Sequence, residues 1–412
     1  MLNDNVAPKN TDRATPKRGF AAAEYQRRVE SAQAQMLREQ IGALLITTEA
    51  DMYYFTGFLS QFWQSPTRPW FAVIPLQGKP IAVIPEIGVN CMKNDFMEDI
   101  RSWSSPHASD DGVSLLSATI AEVLDSASSQ HGAQFQKLGL NQGRETHIRM
   151  PLKDFEQLRE NIARHNSKAR LVDATHLIRQ LRMVKSEAEI EKLLYVAQCA
   201  SDVFEILFSF IQVGMRDDEI FRAFKIASLN SGVDDVSYLV GAAGAGGYDD
   251  IISPPSGRVL QNGDVLILDT GCTFDGYFCD FDRNYGFGLV GDDARRAYET
   301  VWQATEAGLQ AAVPGNRCSD LFHAMDQVMQ AGGAQGESVG RYGHGLGLQL
   351  TEPPSHTGWD DTPLEVGMVL TLEPGMIFAP QKMMVHEENI LITESGPRLL
   401  SRRAPFELPI AL

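Results

Sequence analysis

The chain has 412 residues, 43% of them hydrophobic and 22% charged, which is enough for two domains with cores of their own and excludes a peptide or a long disordered chain. Its 36 Lys plus Arg stand against 53 Asp plus Glu, a formal charge of −17, and such a surface repels phosphate backbones, so nucleic acid is not an expected partner. Five cysteines (Cys91, Cys199, Cys272, Cys279, Cys318) without a CxxC pair predict reduced thiols and a cytoplasmic protein, and no apolar run reaches the length of a membrane span.

Residues 1–18 are polar, carry Pro8 and Pro16, and are expected to form a loose tail. Residues 22–40 place Tyr25, Val29, Ala32, Met36 and Leu37 at helical spacing, so an amphipathic helix opens the first domain. The runs 41–47, 71–76 and 80–88 read as strands, the last two as a hairpin across Gln77-Gly78-Lys79. A helix over 115–127 and a strand over 137–141 continue an α/β pattern to about residue 175. Ser186 with Glu189 three residues on forms a capping box that starts a long helix, and a second domain of α+β type, 184–412, begins there. Further helices are expected from about Asp217 and Asp293.

Within that second domain, VLILD (265–269) is an apolar strand ending on Asp269, and the sequence returns through glycine and aromatic residues as a strand bearing Asp280. A solvated hairpin is one reading; paired carboxylates offset by a cation is the other, because their mutual repulsion is costly without one. His344 sits between glycines in RYGHGLG, Glu373 ends the apolar strand VLTLE, and Glu387 begins the strand EENILIT. One histidine and four carboxylates suit a site for two divalent cations such as Mn, Co, Zn or Fe(II).

The order Asp269, Asp280, His344, Glu373, Glu387, set in LDTG, GYFCDFDR, GHGLG, LEPGM and HEENILIT with a spacing of eleven from the first aspartate to the second, resembles the metal shell of the pita-bread metallopeptidases, the superfamily of aminopeptidase P, prolidase and creatinase. The resemblance implies a pita-bread catalytic domain over 184–412 behind a smaller α/β creatinase-type domain over 19–175. It also implies a homodimer, and a dinuclear metal-dependent hydrolase in which a metal-bridging hydroxide attacks an amide and Glu373 is both ligand and proton shuttle.

Three positions depart from that pattern. Where the peptidases carry a histidine seventeen residues before the first metal aspartate, this chain has Ile252; where a second lies seven residues after the metal histidine, it has Thr351; and the arginine two residues before the last glutamate is Val385. In the resembled peptidases those histidines contact the peptide and help stabilise its tetrahedral intermediate. Two active classes therefore stay open: a hydrolase of X-Pro dipeptides or another small amide, and a non-peptidase lyase similar to dimethylsulfoniopropionate lyase. A metal-binding pseudoenzyme is a third reading. Substrate contacts are assigned to the Ile252 and Thr351 positions and to the aromatic stretch DMYYFTGFLSQFWQSPTRPWF (51–71). There Trp63 and Trp70 are expected to cage a cationic head group and Arg68 to pair with a carboxylate, in the same chain's site or a partner's, with core packing as the alternative. GAAGAGG (241–247) lacks the GK[ST] of a phosphate loop and is read as close backbone approach beside the pocket. His386 is expected to point away from Glu387 by strand alternation.

Overall fold

Continuous apolar runs become the middle strands of the first sheet, because only there are both faces of a strand covered. The computed structural model describes residues 13–335 and 340–411. These divide into two units, one built from Lys17–Arg182, the other from Met183 onward together with the segment ending at Pro16.

The first unit opens with α1 (Ala22–Glu39), which buries Tyr25, Val29, Ala32 and Met36 on one stripe and leaves Leu37 half-exposed. Then follow β1 (Ala43–Ile46), α2 (Glu49–Thr56), β2 (Phe71–Pro75), β3 (Ile81–Pro85), α3 (Val89–Met92), β4 (Asp99–Trp103), α4 (Val113–His131), β5 (Lys137–Leu140), α5 (Leu152–His165), β6 (Arg170–Asp173) and α6 (Thr175–Met183). The six strands form one sheet in the order β4-β3-β2-β1-β5-β6, with β2 and β3 paired as an antiparallel hairpin. Helix α2 is the element that periodicity could not announce, since every side chain from Ala50 to Thr56 is buried and no polar face marks it.

The second unit begins with α7 (Glu187–Glu205), whose capping box is present as expected from Ser186 and Glu189, and α8 (Asp217–Ser231). Strands β7 (Asp235–Ala245), β8 (Asp264–Phe274), β9 (Tyr277–Phe278) and β10 (Phe281–Phe287) follow, then α9 (Asp292–Ala311) and α10 (Cys318–Ala331). The chain closes with β11 (His344–Gly345), β12 (Glu352–Ser355), β13 (Val369–Leu372), β14 (Gly375–Ala379), β15 (Lys382–Val385), β16 (Glu388–Thr393), β17 (Gly396–Leu399) and β18 (Ile410–Ala411). One sheet runs β18-β10-β8-β7 with β9 on β8, a second runs β12-β11-β13-β16-β17, and β14 pairs with β15. Helices α9 and α10 supply Ala297, Val301, Leu309, Leu321 and Met325 to a core that also takes Leu370 and Leu372 from β13.

Two expectations are corrected. Strand β8 does not end at Asp269 but runs to Phe274, because the turn lies at Asp275-Gly276, where Asp275 takes a φ of 50° and pairs with buried Lys192 of α7 at 2.7 Å. The tail is not loose throughout: Arg13 donates to Asp202 at 3.0 Å and to the Cys199 thiol, so the segment from Arg13 is tied down, while residues 1–12 lie outside the described residues. GAAGAGG is mostly the second half of β7, with Gly241–Ala245 paired against Asp264–Leu268. All five cysteines are free thiols, and no helix among the described residues is long and apolar enough to cross a membrane.

Candidate active site

Two antiparallel registers converge on one cluster. In the first, Phe281 pairs with Thr270 and Asp282 with Asp269, so Asp280 falls opposite Gly271, and Asp269 and Asp280 become diagonal neighbours on the same face of the β8/β10 pair. In the second, Leu372 pairs with Glu388 and Gly375 with Val385, which sets Glu373 and Glu387 opposite each other where the β13/β16 ladder gives way to the β14/β15 ladder. The two are joined at Asn389, whose Oδ1 accepts the Asp280 N–H at 3.0 Å and whose Nδ2 donates to the Asp280 carbonyl.

His344 enters from β11. Its Nδ1 donates to the Gly345 carbonyl at 2.8 Å, which leaves the lone pair on Nε2, 3.3 Å from Glu373 and 3.5 Å from Asp280. Burial, offset in part by the Glu373 charge, lowers its pKa, so the ring is neutral and able to ligate. Donor atoms of Asp280, His344 and Glu387 lie within 4.8 Å of one another, and all three residues are buried. Asp269 Oδ1 and Glu387 Oε1 are buried with no hydrogen-bond partner among the described residues. Burial, and after it the Glu373 charge, pushes Asp269 up to about 7; burial together with neighbouring carboxylates holds Asp280 and Glu387 well above the usual range. Such a set is strained without a cation or protons, and orphaned carboxylate oxygens beside an imidazole lone pair are the donors divalent metals take.

Supporting residues were not visible in the motifs. Thr371 Oγ1 accepts the His344 N–H at 3.0 Å and donates to Glu373 at 3.3 Å, placing both groups at once. Tyr238 of β7 stands beside the cluster, and burial first, then the charges of Asp269, Asp280, Glu387 and Glu373, holds its phenol protonated. Gly271 leaves the space between them: a Cβ there would stand 2.5 Å from Leu350 Cδ1 and 3.0 Å from Tyr238 Cβ. Gly343 does the same before the histidine, at φ 142°, where a Cβ would strike His356 and the Thr371 carbonyl. Strand alternation puts Thr371 two residues from Glu373 and Asn389 two from Glu387, a signal that could have been read; Tyr238 gave none.

The profile of metallopeptidase family M24 matches residues 191–394, spanning all five of these residues, and that of the creatinase/prolidase N-terminal domain matches 28–184. The chain belongs to metallopeptidase family M24. An uncharacterised peptidase of Staphylococcus aureus is 29% identical over 377 residues, covering 89% of this chain and 96% of that protein. Dipeptidase PepE of Mycobacterium ulcerans superposes with a TM-score of 0.79 at 26% identity, over 95% of this chain and 99% of the other. A prolidase of Thermococcus sibiricus shares the fold, with a TM-score of 0.80 at 23% identity over 94% and 99%. The architecture is thus the pita-bread catalytic domain behind a creatinase-type domain.

The remaining positions of this M24 chain fall outside the buried cluster. Ile252 is 74% exposed and Thr351 is exposed, so neither side chain is held against the carboxylates. Val385 is buried, with its N–H donating to Tyr248 Oη at 2.9 Å and its carbonyl accepting from Asn284 at 2.6 Å. In the first unit, Trp70 is 2% exposed against Phe58 and Gly88, and Trp63 is buried in the same aromatic group. The cation over the Trp63 ring is the chain's own Arg149, 5.0 Å away, whose guanidinium also donates to the carbonyls of Phe62, Ser65, Thr67 and Arg68. The cage expected of the two indoles is corrected accordingly: their faces are filled by packing and by Arg149. Arg68 is half-buried at φ 56° with its guanidinium over Phe62. His386 points away from Glu387, to Thr305, as strand alternation requires.

Proposed function

We propose that this M24 peptidase is a metal-dependent hydrolase of small X-prolyl or related amide substrates, with Asp269, Asp280, His344, Glu373 and Glu387 holding two divalent cations. The observation that carries the reading is the set of buried, unpartnered oxygens of Asp269 and Glu387 gathered with the His344 Nε2 lone pair. Bound cations supply electrophilic activation of a carbonyl and acidify water. The chain's own residues do the rest. The Gly345 carbonyl holds the His344 tautomer, and Thr371 orients Glu373. Glu373 is the open carboxylate of the set, its side chain 26% exposed where Glu387 is buried, so its Oε is the atom that can pass a proton to a leaving amine. The likeness to a named dipeptidase supports a substrate of two residues.

A second reading, elimination from a small zwitterion, is favoured by one observation: the Ile252 and Thr351 positions offer no imidazole to an amide intermediate. The test is a panel of X-Pro dipeptides, small betaines and sulfonium zwitterions, incubated with protein loaded with Mn, Co, Zn or Fe(II) and with EDTA-treated protein. Metal-dependent release of proline supports hydrolysis. Turnover of zwitterions alone to unsaturated products overturns it in favour of elimination.

A further inference from the structure

We propose that Asp282 is a sixth protein ligand of the metal centre, bound to the cation beside Asp269; the proposal rests on the metalloenzyme reading above. Asp282 pairs directly with Asp269 across β10 and β8, and by strand period it shares a face with Asp280. The residue is 2% exposed, and its Oδ2 is buried with no partner among the described residues. Its Oδ1 takes only a long 3.4 Å bond from Asn284 Nδ2, an amide whose shorter bond, 2.6 Å, goes to the Val385 carbonyl.

The adjacent cation lies close but makes no bond to the Asp282 carboxylate. Arg283 is buried and spends its guanidinium on the carbonyls of Asp282, Glu387 and Arg402 and on the Glu388 carboxylate at 3.0 Å, none of which is the Asp282 side chain. A carboxylate placed in a dry interior without a counter-ion bonded to it is expensive, and Asp282 has Asp269 directly opposite to make it more so. A cation that bonds Asp269 Oδ1 and Asp282 Oδ2 answers both orphaned oxygens at once.

The donor set then becomes five carboxylates and one imidazole. Such an oxygen-rich shell suits a hard cation such as Mn(II) at the Asp269 side more than a thiophilic or nitrogen-seeking one. It also makes the two cation positions unequal, since His344 serves only the cation on its own side.

The test uses the full-length protein, stripped and reloaded with Mn(II), comparing wild type with Asp282→Asn, which keeps shape and the Asn284 contact but removes the charge. Isothermal titration and elemental analysis should show two Mn(II) per wild-type chain. In the variant one of them should be retained and the other weakened at least tenfold, the usual range for loss of a metal-supporting group. Electron paramagnetic resonance should change from the coupled two-manganese signal to the six-line signal of a single ion. Asp282→Thr, with a hydroxyl for Asn284, is the second variant should Asp282→Asn fail to fold, and circular dichroism checks both. Two Mn(II) bound with unchanged affinity in a folded variant overturns the proposal. A wild-type chain that binds no metal at all overturns instead the metalloenzyme reading, and the proposal with it.

Discussion

In metal-free protein the carboxylate cluster makes stability fall as pH rises, the reverse of the behaviour of paired surface acids. Asp269 has a pKa of about 7 in the fold against 3.8 when free, so the folded state holds a proton that the unfolded chain releases between those values. A raised pKa contributes stability that is fully present below pH 3.8 and lost as pH climbs through about 7. A displacement of about 3 units corresponds to about 4 kcal/mol, and Asp280 and Glu387, raised in the same direction, add to the loss. That is a large part of the stability of an ordinary domain. Bound cations take the place of the protons, so the slope should vanish or reverse when Mn(II) saturates the site. Urea unfolding between pH 4.5 and 8, in EDTA and in Mn(II), read by hydrogen exchange of the peptides covering β8 and β10, separates the second unit from the first. The expected result is a midpoint in EDTA that drops steadily over that range and a midpoint in Mn(II) that does not. Equal and flat profiles in both media would refute the reasoning.

Trp70→Ala should cost about 3–5 kcal/mol in the first unit and leave metal content unchanged, because the indole is packed and not presented to substrate. A stable variant with a strongly raised KM would restore the cage. Gly271→Ala forces a methyl onto Leu350 and Tyr238, so a loss of about 1–3 kcal/mol together with weaker Mn(II) binding is expected by thermal shift and titration; unchanged affinity would show that the space is not needed. Thr371→Val keeps the shape but leaves the buried His344 N–H without its acceptor, for a loss of about 1–3 kcal/mol and a fall in kcat at constant KM, measured by denaturation and steady-state kinetics. Wild-type values for both would remove Thr371 from the account.

Much of this was legible in the sequence because an acid set against a buried apolar run is costly unless something offsets its charge. Asp269, Asp280, Glu373 and Glu387 each sit beside an apolar run, and the fold stacks those runs into two ladders whose registers make the acids face each other. Alternation puts Thr371 and Asn389 on the strand faces of Glu373 and Glu387, but which groups they bond follows only from the pairing, and Tyr238 is an ordinary strand residue until the register is known. The aromatic loop misled for a different reason: prolines and polar residues marked SQFWQSPTRPW as a loop, but a short 3-10 turn at Gln61–Gln64 and Arg149 fold its indoles inward. Helix α2 was missed because complete burial erases the amphipathic signal on which the periodicity argument depends.

Cleavage of an X-Pro dipeptide in oxygen-18 water tests the account most directly. Mn(II)-loaded protein should release an amino-acid carboxylate carrying one labelled oxygen, and protein treated with EDTA, or carrying Asp269→Ala, should release none. Unlabelled products from the loaded enzyme, or equal labelling by the metal-free protein, would contradict a metal-dependent hydrolase at this site.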